Sequence, residues 1–202
     1  MRNALAALSA LLLAGCSTVP PQPTGREGLI DIFSRLEPAN KSSHYQKTDS
    51  SKEEAPAAVE ADTSSDSSLD GVSLHWPLSH VKVTSPFGQR GSEFHEGVDL
   101  KAATGTPVYA AQAGRVLYAG SKIRGYGRLI VLKHEHGIST VYAHNSKLLV
   151  KKGDHVAQGQ KIAITGKSGK VSGPHLHFEV RKGVAAVDPI KVMPAVGLKA
   201  EL

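Results

Sequence analysis

The sequence predicts an all-β domain, a small β-sandwich of duplicated hairpins, carried behind a long polar tether. Three observations predict it. From about Ser73 onward, short runs alternate apolar with polar residues and are punctuated by glycine, the pattern of half-buried strands. Two segments, GTPVYAAQAGRVLYAG (105–120) and GDHVAQGQKIAITG (153–166), echo one another in glycine, valine, turn and closing alternation. Beyond Ser73 no long stretch repeats apolar residues at helical spacing, whereas residues 17–72 are too poor in large apolar side chains to build a core.

The chain opens with a short basic start, MRN, and then ALAALSALLLAG, which carries no charge. That run is too short to span a bilayer and suits a signal-peptide core, here residues 1–15. It ends at Cys16, the single cysteine of the 202 residues, so no internal disulfide can form. Leu13-Ala14-Gly15-Cys16 resembles the bacterial lipobox, which implies cleavage before Cys16 and its lipidation. Ser17 follows rather than the aspartate that resembles an inner-membrane retention signal. The expectation is therefore a periplasm-facing domain anchored to a membrane, the inner leaflet of the outer membrane being favoured.

Residues 16–72 read as a lipid-anchored, largely disordered linker. Its proline-rich start and its Ser/Asp/Glu/Ala-rich end offer little to bury. A coil of about 55 residues spans roughly 40 Å on average and reaches roughly 180 Å when taut. Within it, residues 26–37 place Leu29, Ile32, Phe33 and Leu36 on one helical stripe. A transient helix without a role is the favoured reading, with docking on a partner or a membrane surface as the alternative.

Charge divides along the same boundary. Ser17–Asp70 holds 5 Lys+Arg against 10 Asp+Glu, while Gly71–Leu202 holds 18 against 8. A basic compact domain favours an anionic partner. Export makes nucleic acid a poor candidate and leaves an anionic membrane surface or a cell-wall polymer.

Within the domain (73–202), TPVYAAQAGRVLYAG reads as one hairpin turning at Ala113-Gly114. RLIVLKHEHGISTVYAH reads as a second, turning at His136-Gly137, and HVAQGQKIAITG as a third. The duplicated unit resembles that of lipoyl and biotinyl carrier domains, although no lysine sits in the expected hairpin-tip setting.

The histidines carry the chemistry. In GPHLHFEV, His175 and His177 are two apart, so on a strand they share one face while Leu176, Phe178 and Val180 share the other. In SPFGQRGSEFHEGVDL, His95 and Asp99 are four apart with Gly97 between. Imidazole and carboxylate are good zinc ligands. With one histidine of the H-x-H pair they make three, leaving the fourth position of a catalytic rather than a structural site to water. Spacing does not say which of His175 and His177 is the ligand. His144, in VYAHNS, ends a predicted strand. His134, His136 and His155 read as surface residues in turns, and His75 and His80 show no metal spacing. Glu179 shares the histidines' strand face, where a solvated edge carboxylate is the favoured reading over a partner to a ligand histidine.

HEGVD, YAH and GPHLHFEVR, in that order, resemble the lysostaphin-like, LytM-type zinc metallopeptidases that cut peptide bonds in peptidoglycan. The resemblance runs from about Trp76 to Pro194 and takes in SPFGQR and VDPIKVMP. The block YAHNSKLLVKKGDHVAQGQKIA looks like envelope lipoproteins and activators of the NlpD and EnvC type, although no sugar-binding LysM segment is recognisable before the domain. The resemblance implies a barrel-sandwich-hybrid-like fold and one zinc ion held by His95, Asp99 and His177. It implies that His144 and His175 activate water and stabilise the oxyanion, with Arg90 and Asn145 beside substrate. It implies a peptidoglycan endopeptidase, or alternatively a non-catalytic activator of a cell-wall amidase working with division proteins. Retention of all five histidine and aspartate positions favours the enzyme.

Overall fold

The computed structural model describes residues 25–34, 69 and 71–195. The expected signal peptide, Cys16, Leu36 and most of the linker lie outside the described residues. The elements are α1 (Gly25–Ser34), β1 (Val83–Ser85), β2 (Gly88–Arg90), β3 (Glu93–His95), β4 (Val98–Lys101), β5 (Pro107–Tyr109) and β6 (Gly114–Gly120), then β7 (Arg128–Lys133), β8 (Ile138–Leu148), β9 (His155–Val156), β10 (Lys161–Thr165), β11 (His175–Lys182), β12 (Ala185–Val187) and α2 (Pro189–Val192).

The predicted alternation organises one large antiparallel sheet in the order β1-β4-β11-β8-β7-β6-β9. β12 adds to β11, and β10 bridges β5 to the distal part of β8. β2 and β3 form a separate ribbon. One sheet face supplies the main core: Val98, Leu100, Ile130, Leu132, Tyr142, Leu176, Phe178 and Val180 are fully buried in it with Val108 and Ile162 from the β5–β10 side. Leu69, Leu74 and Leu78 join that core, so the packed body begins slightly ahead of Ser73.

The opposite face alternates with it. Leu129 and Val131 of β7 and Val141 and Ala143 of β8 point there, with Leu117 and Ile123. This second apolar patch is covered by α1, whose Leu29 and Phe33 are buried on it. The amphipathic stripe is therefore neither idle nor aimed at a foreign surface. It docks on the chain's own sheet, because a half-apolar helix and an apolar sheet face remove each other from water.

The β7–β8 hairpin forms as predicted. His136 and Gly137 take successive left-handed conformations (φ 54° and 70°), which glycine allows freely and which match the strand twist. The other two predicted hairpins do not form. β5 pairs with β10, and β6 pairs with β9 and β7. The sequence echo is nonetheless structural: the first strand of each copy pairs with the second strand of the other, so the duplicated units interlock rather than close on themselves.

His134 is buried rather than at the surface. Its Nδ1 lies 2.9 Å from Ala113 O and its Nε2 2.7 Å from Thr140 Oγ1. A neutral imidazole satisfies both, donating from Nδ1 and accepting at Nε2. Burial pushes its pKa below the ordinary 6.5, against the opposing effect of the Ala113 carbonyl. Below 6.5 the unfolded chain takes up a proton that the folded chain resists, so stability is complete above that pH and falls as pH drops through it. This contribution of His134 to the unfolding temperature should thus shrink from pH 7.5 to pH 5.5. A His134→Gln variant, less stable at pH 7.5, should decline less; an unchanged slope in thermal melts followed by circular dichroism would contradict this account.

Candidate active site

The site is assembled by strand register. β4 pairs with β11 so that Asp99 stands opposite His177 and Lys101 opposite His175. β8 flanks β11 on its other side with Ala143 opposite His177, bringing His144 alongside. His95 closes the cluster from the end of β3. The short turn from His95 to Asp99 lies tightly on β11: a Cβ on Gly97 would stand 2.4 Å from Phe178 O. Glycine in HEGVD is thus a packing requirement, and it lets both ends of the motif reach the same point.

Three donor atoms converge there. His95 Nε2 lies 3.0 Å from His177 Nδ1, His177 Nδ1 3.0 Å from Asp99 Oδ1, and His95 Nε2 3.2 Å from Asp99 Oδ1. Ligands about 2.0–2.1 Å from a tetrahedral metal stand about 3.3 Å apart, so this triangle has the size such a metal needs. The donor chemistry agrees. His95 Nδ1 lies 2.7 Å from Pro86 O and 2.5 Å from Arg90 Nη2, which turns Nε2 toward the triangle. His177 Nε2 lies 3.0 Å from Glu179 Oε1, which turns Nδ1 toward the triangle. The residues fit a divalent ion of the zinc type, with His95, Asp99 and His177 as the group able to hold it.

His175 and His144 stand beside this triangle and outside it. His175 Nδ1 is 3.0 Å from Gly173 O, and its Nε2 is 3.6 Å from Asp99 Oδ1. His144 Nδ1 is 2.9 Å from Ser168 O, and the two rings meet edge-on with centroids 4.9 Å apart. His144 adopts φ 66°, rare for a side-chain-bearing residue and typical of functional sites, where surrounding structure must hold the strain. Here its backbone N–H donates to Tyr126 O at 3.0 Å.

The electrostatics separate the histidines. Burial, reinforced by the neighbouring His177, lowers the His144 pKa to about 4 and keeps the ring neutral. At His177 burial acts the same way, but hydrogen bonds to Asp99 and Glu179 outweigh it and raise the pKa to about 9. Burial alone would raise Asp99; contacts with His177, His95 and Arg90 instead hold it well below the usual carboxylate range.

The remaining expectations resolve differently. Arg90 rims the cleft and donates to Asp99 Oδ2 at 2.9 Å, so it orients the carboxylate directly. Asn145 does not reach the cleft. It is fully buried, its amide donating to Arg128 O (3.1 Å) and Tyr142 O (2.8 Å), which ties β8 to β7 beside His144. The expected substrate contact is corrected to a scaffolding one. Glu179 is not a solvated edge carboxylate but fully buried, accepting from His177, Tyr126 and Arg181. The i, i+2 pattern of HLHFEVR already places His175, His177, Glu179 and Arg181 on one face. Nothing in the GYG around Tyr126 signals that it reaches them. The open cleft above is lined by Phe94, Tyr126 and Val171 together with Arg90, Arg124, Lys170, Glu93 and Glu96.

Comparisons with known proteins place this geometry. The model of peptidase family M23 matches residues 93–189. The chain is 43% identical over 124 residues to the uncharacterized lipoprotein YgeR of Escherichia coli K12, covering 61% of this chain and 48% of that protein. It is 40% identical over 119 residues to the murein hydrolase activator NlpD of the same organism, covering 59% and 31%. Among solved structures, a zinc containing peptidase from Vibrio cholerae superposes with a TM-score of 0.55 at 32% identity, covering 62% of this chain and 41% of that one. The chain thus spans about half or less of the curated relatives it matches. His95, Asp99, His144, His175 and His177 all lie inside the matched stretch, and the chain belongs to peptidase family M23 as the bearer of a LytM-type domain.

Proposed function

We propose that the chain is a zinc-dependent endopeptidase that hydrolyses peptide cross-links of peptidoglycan, held at a membrane through lipidated Cys16. The carrying observation is the triangle of His95, Asp99 and His177 donor atoms, each about 3 Å from the next, with two non-member histidines beside it in an open cleft. Zinc bound there would supply Lewis acidity toward a peptide carbonyl and bring the pKa of water toward about 7. The chain's own residues do the rest. His144, neutral and with Nδ1 committed to Ser168 O, accepts the attacking water's proton at Nε2 and passes it to the leaving amine. His175, with Nδ1 on Gly173 O and Nε2 turned toward Asp99, stands where it can stabilise the oxygen on which negative charge develops. Arg90, Arg124 and Lys170 along the rim suit the carboxylates of stem peptides. In this reading the anchor is the lipid at Cys16, on the periplasmic side of the outer membrane; among the described residues no helix is long and apolar enough to cross a membrane.

A second reading has its own support: the relative named murein hydrolase activator. In it the same cleft binds and switches on a separate cell-wall amidase without turnover.

The chain from Ser17 onward, purified and incubated with cross-linked muropeptides, should carry about one zinc per chain and release new amines, a release abolished by chelator. Bound zinc with no new amine, together with acceleration of an added amidase, would transfer the function to the second reading. His144→Ala should keep its zinc and lose about 100-fold or more in cleavage rate; cleavage at the parent's rate would remove the role given to His144. Asp99→Ala should purify without stoichiometric zinc, as read by elemental analysis.

A further inference from the structure

Two imidazoles point into the metal triangle through opposite nitrogens, and each is set by an acceptor on its far side. For His95 that acceptor is a neutral carbonyl, Pro86 O. For His177 it is the Glu179 carboxylate, fully buried on the same strand face. Resting on the zinc reading above, we infer that Glu179 is a positioning residue: by holding Nε2 of His177 it fixes which nitrogen of that imidazole faces the metal.

The surroundings of Glu179 serve this geometry. Oε1 accepts from both His177 Nε2 (3.0 Å) and the Tyr126 hydroxyl (2.7 Å), so Tyr126 pins the oxygen that the imidazole uses. Oε2 accepts from Arg181, itself almost fully buried, which donates also to Glu96 Oε2 (3.2 Å) and Val184 O (2.9 Å). Phe33 of α1 lies over the Arg181 guanidinium at 5.3 Å and helps seal the group from water. The Oε1 contact to the imidazole therefore has no freedom to rotate away. As a device for stability alone the cluster is a poor choice, because apolar residues of similar volume stabilise a core as well as a buried ion pair does. As a means of orienting a metal ligand it is the expected arrangement: a carboxylate on the far nitrogen, itself hydrogen-bonded.

The test uses the chain from Ser17 onward as parent and as Glu179→Gln, which keeps the volume and removes the charge. Zinc affinity is read by competition with a chromophoric chelator, and cobalt(II) is loaded in place of zinc for its visible spectrum. Glu179→Gln, folded by circular dichroism, should bind zinc about 10- to 100-fold more weakly and shift the cobalt bands. A merely structural Glu179 would lower the unfolding temperature and leave both readouts where they are, and that result overturns the inference. Should Glu179→Gln not fold, Tyr126→Phe carries the test: it frees Oε1 without touching the ion pair and should weaken zinc several-fold, and unchanged affinity there overturns the inference equally. A parent chain that binds no zinc sinks the metal reading itself and this inference with it, whereas a zinc-binding parent matched by its variant sinks only the inference.

Discussion

The pairing of β4 with β11 is the constraint on which everything at the site depends. It sets Asp99 against His177 and leaves room between them only because Gly97 carries no side chain against Phe178 O. Since side chains alternate, a slip of one residue would turn Leu176 and Phe178 into the cleft and the histidines into the core. The other face forbids that slip. Val98, Leu100, Leu176 and Phe178 are all fully buried there, and each is worth about 1.5–3 kcal/mol. Their sum is comparable to the whole stability of a domain, about 5–15 kcal/mol. The hydrophobic core therefore positions the donor atoms, and the site inherits its precision from apolar packing behind it.

The polar side of β11 solves a different problem. Four consecutive same-face positions, His175, His177, Glu179 and Arg181, carry ionisable groups, and the last two are almost entirely removed from water. Such burial is tolerated only when every charge meets an opposite one or a hydrogen-bond donor. Burial alone would raise the Glu179 pKa; His177, Arg181 and Tyr126 together outweigh it and keep the carboxylate ionised. The same carboxylate raises the already burial-shifted pKa of Tyr126, which keeps that hydroxyl a donor. The strand thus grades from an accessible proton-handling end at His175 to a sealed structural end at Arg181.

What could be read from the residues was local periodicity. Alternation located the strands, HEGVD and HLH located the chemistry, and His136-Gly137 located a turn whose flanking strands are long enough to pair on their own. Strand partnership was not legible where strands run only two to seven residues. β5 and β6 look like neighbours because they are adjacent in the chain, yet each finds its partner in the other copy of the repeat. Burial was not legible where it depends on a distant segment. His134 belongs to a turn by sequence, but the Ala113-Gly114 turn lies over it so closely that a Cβ on Gly114 would stand 2.7 Å from its Nδ1. Glu179 and Asn145 are polar residues near catalytic motifs, and only the fold reveals that both face inward. The stripe on α1 was legible, but its docking surface lies across a linker whose length carries no information about destination.

That docking surface bears on the choice between turnover and activation. The sheet face that carries the histidines is divided along β8: Val141 and Ala143 lie under α1, and His144 follows at the cleft. With α1 seated, the apolar half is occupied from within the chain and the cleft is the part left open to a foreign molecule. An activator needs from that cleft only a surface of suitable shape and charge. It has no need for three donor atoms about 3 Å apart, for two imidazoles that face the triangle through opposite nitrogens, or for a buried carboxylate behind one of them. Desolvating Glu179 and Arg181 carries a penalty of several kcal/mol per ion before their contacts offset it, and one of those contacts is made to His177, a member of the donor triangle. The geometry therefore suits the holding of a metal ion at this site, and turnover and partner binding alike would be exercised on a cleft already organised for it.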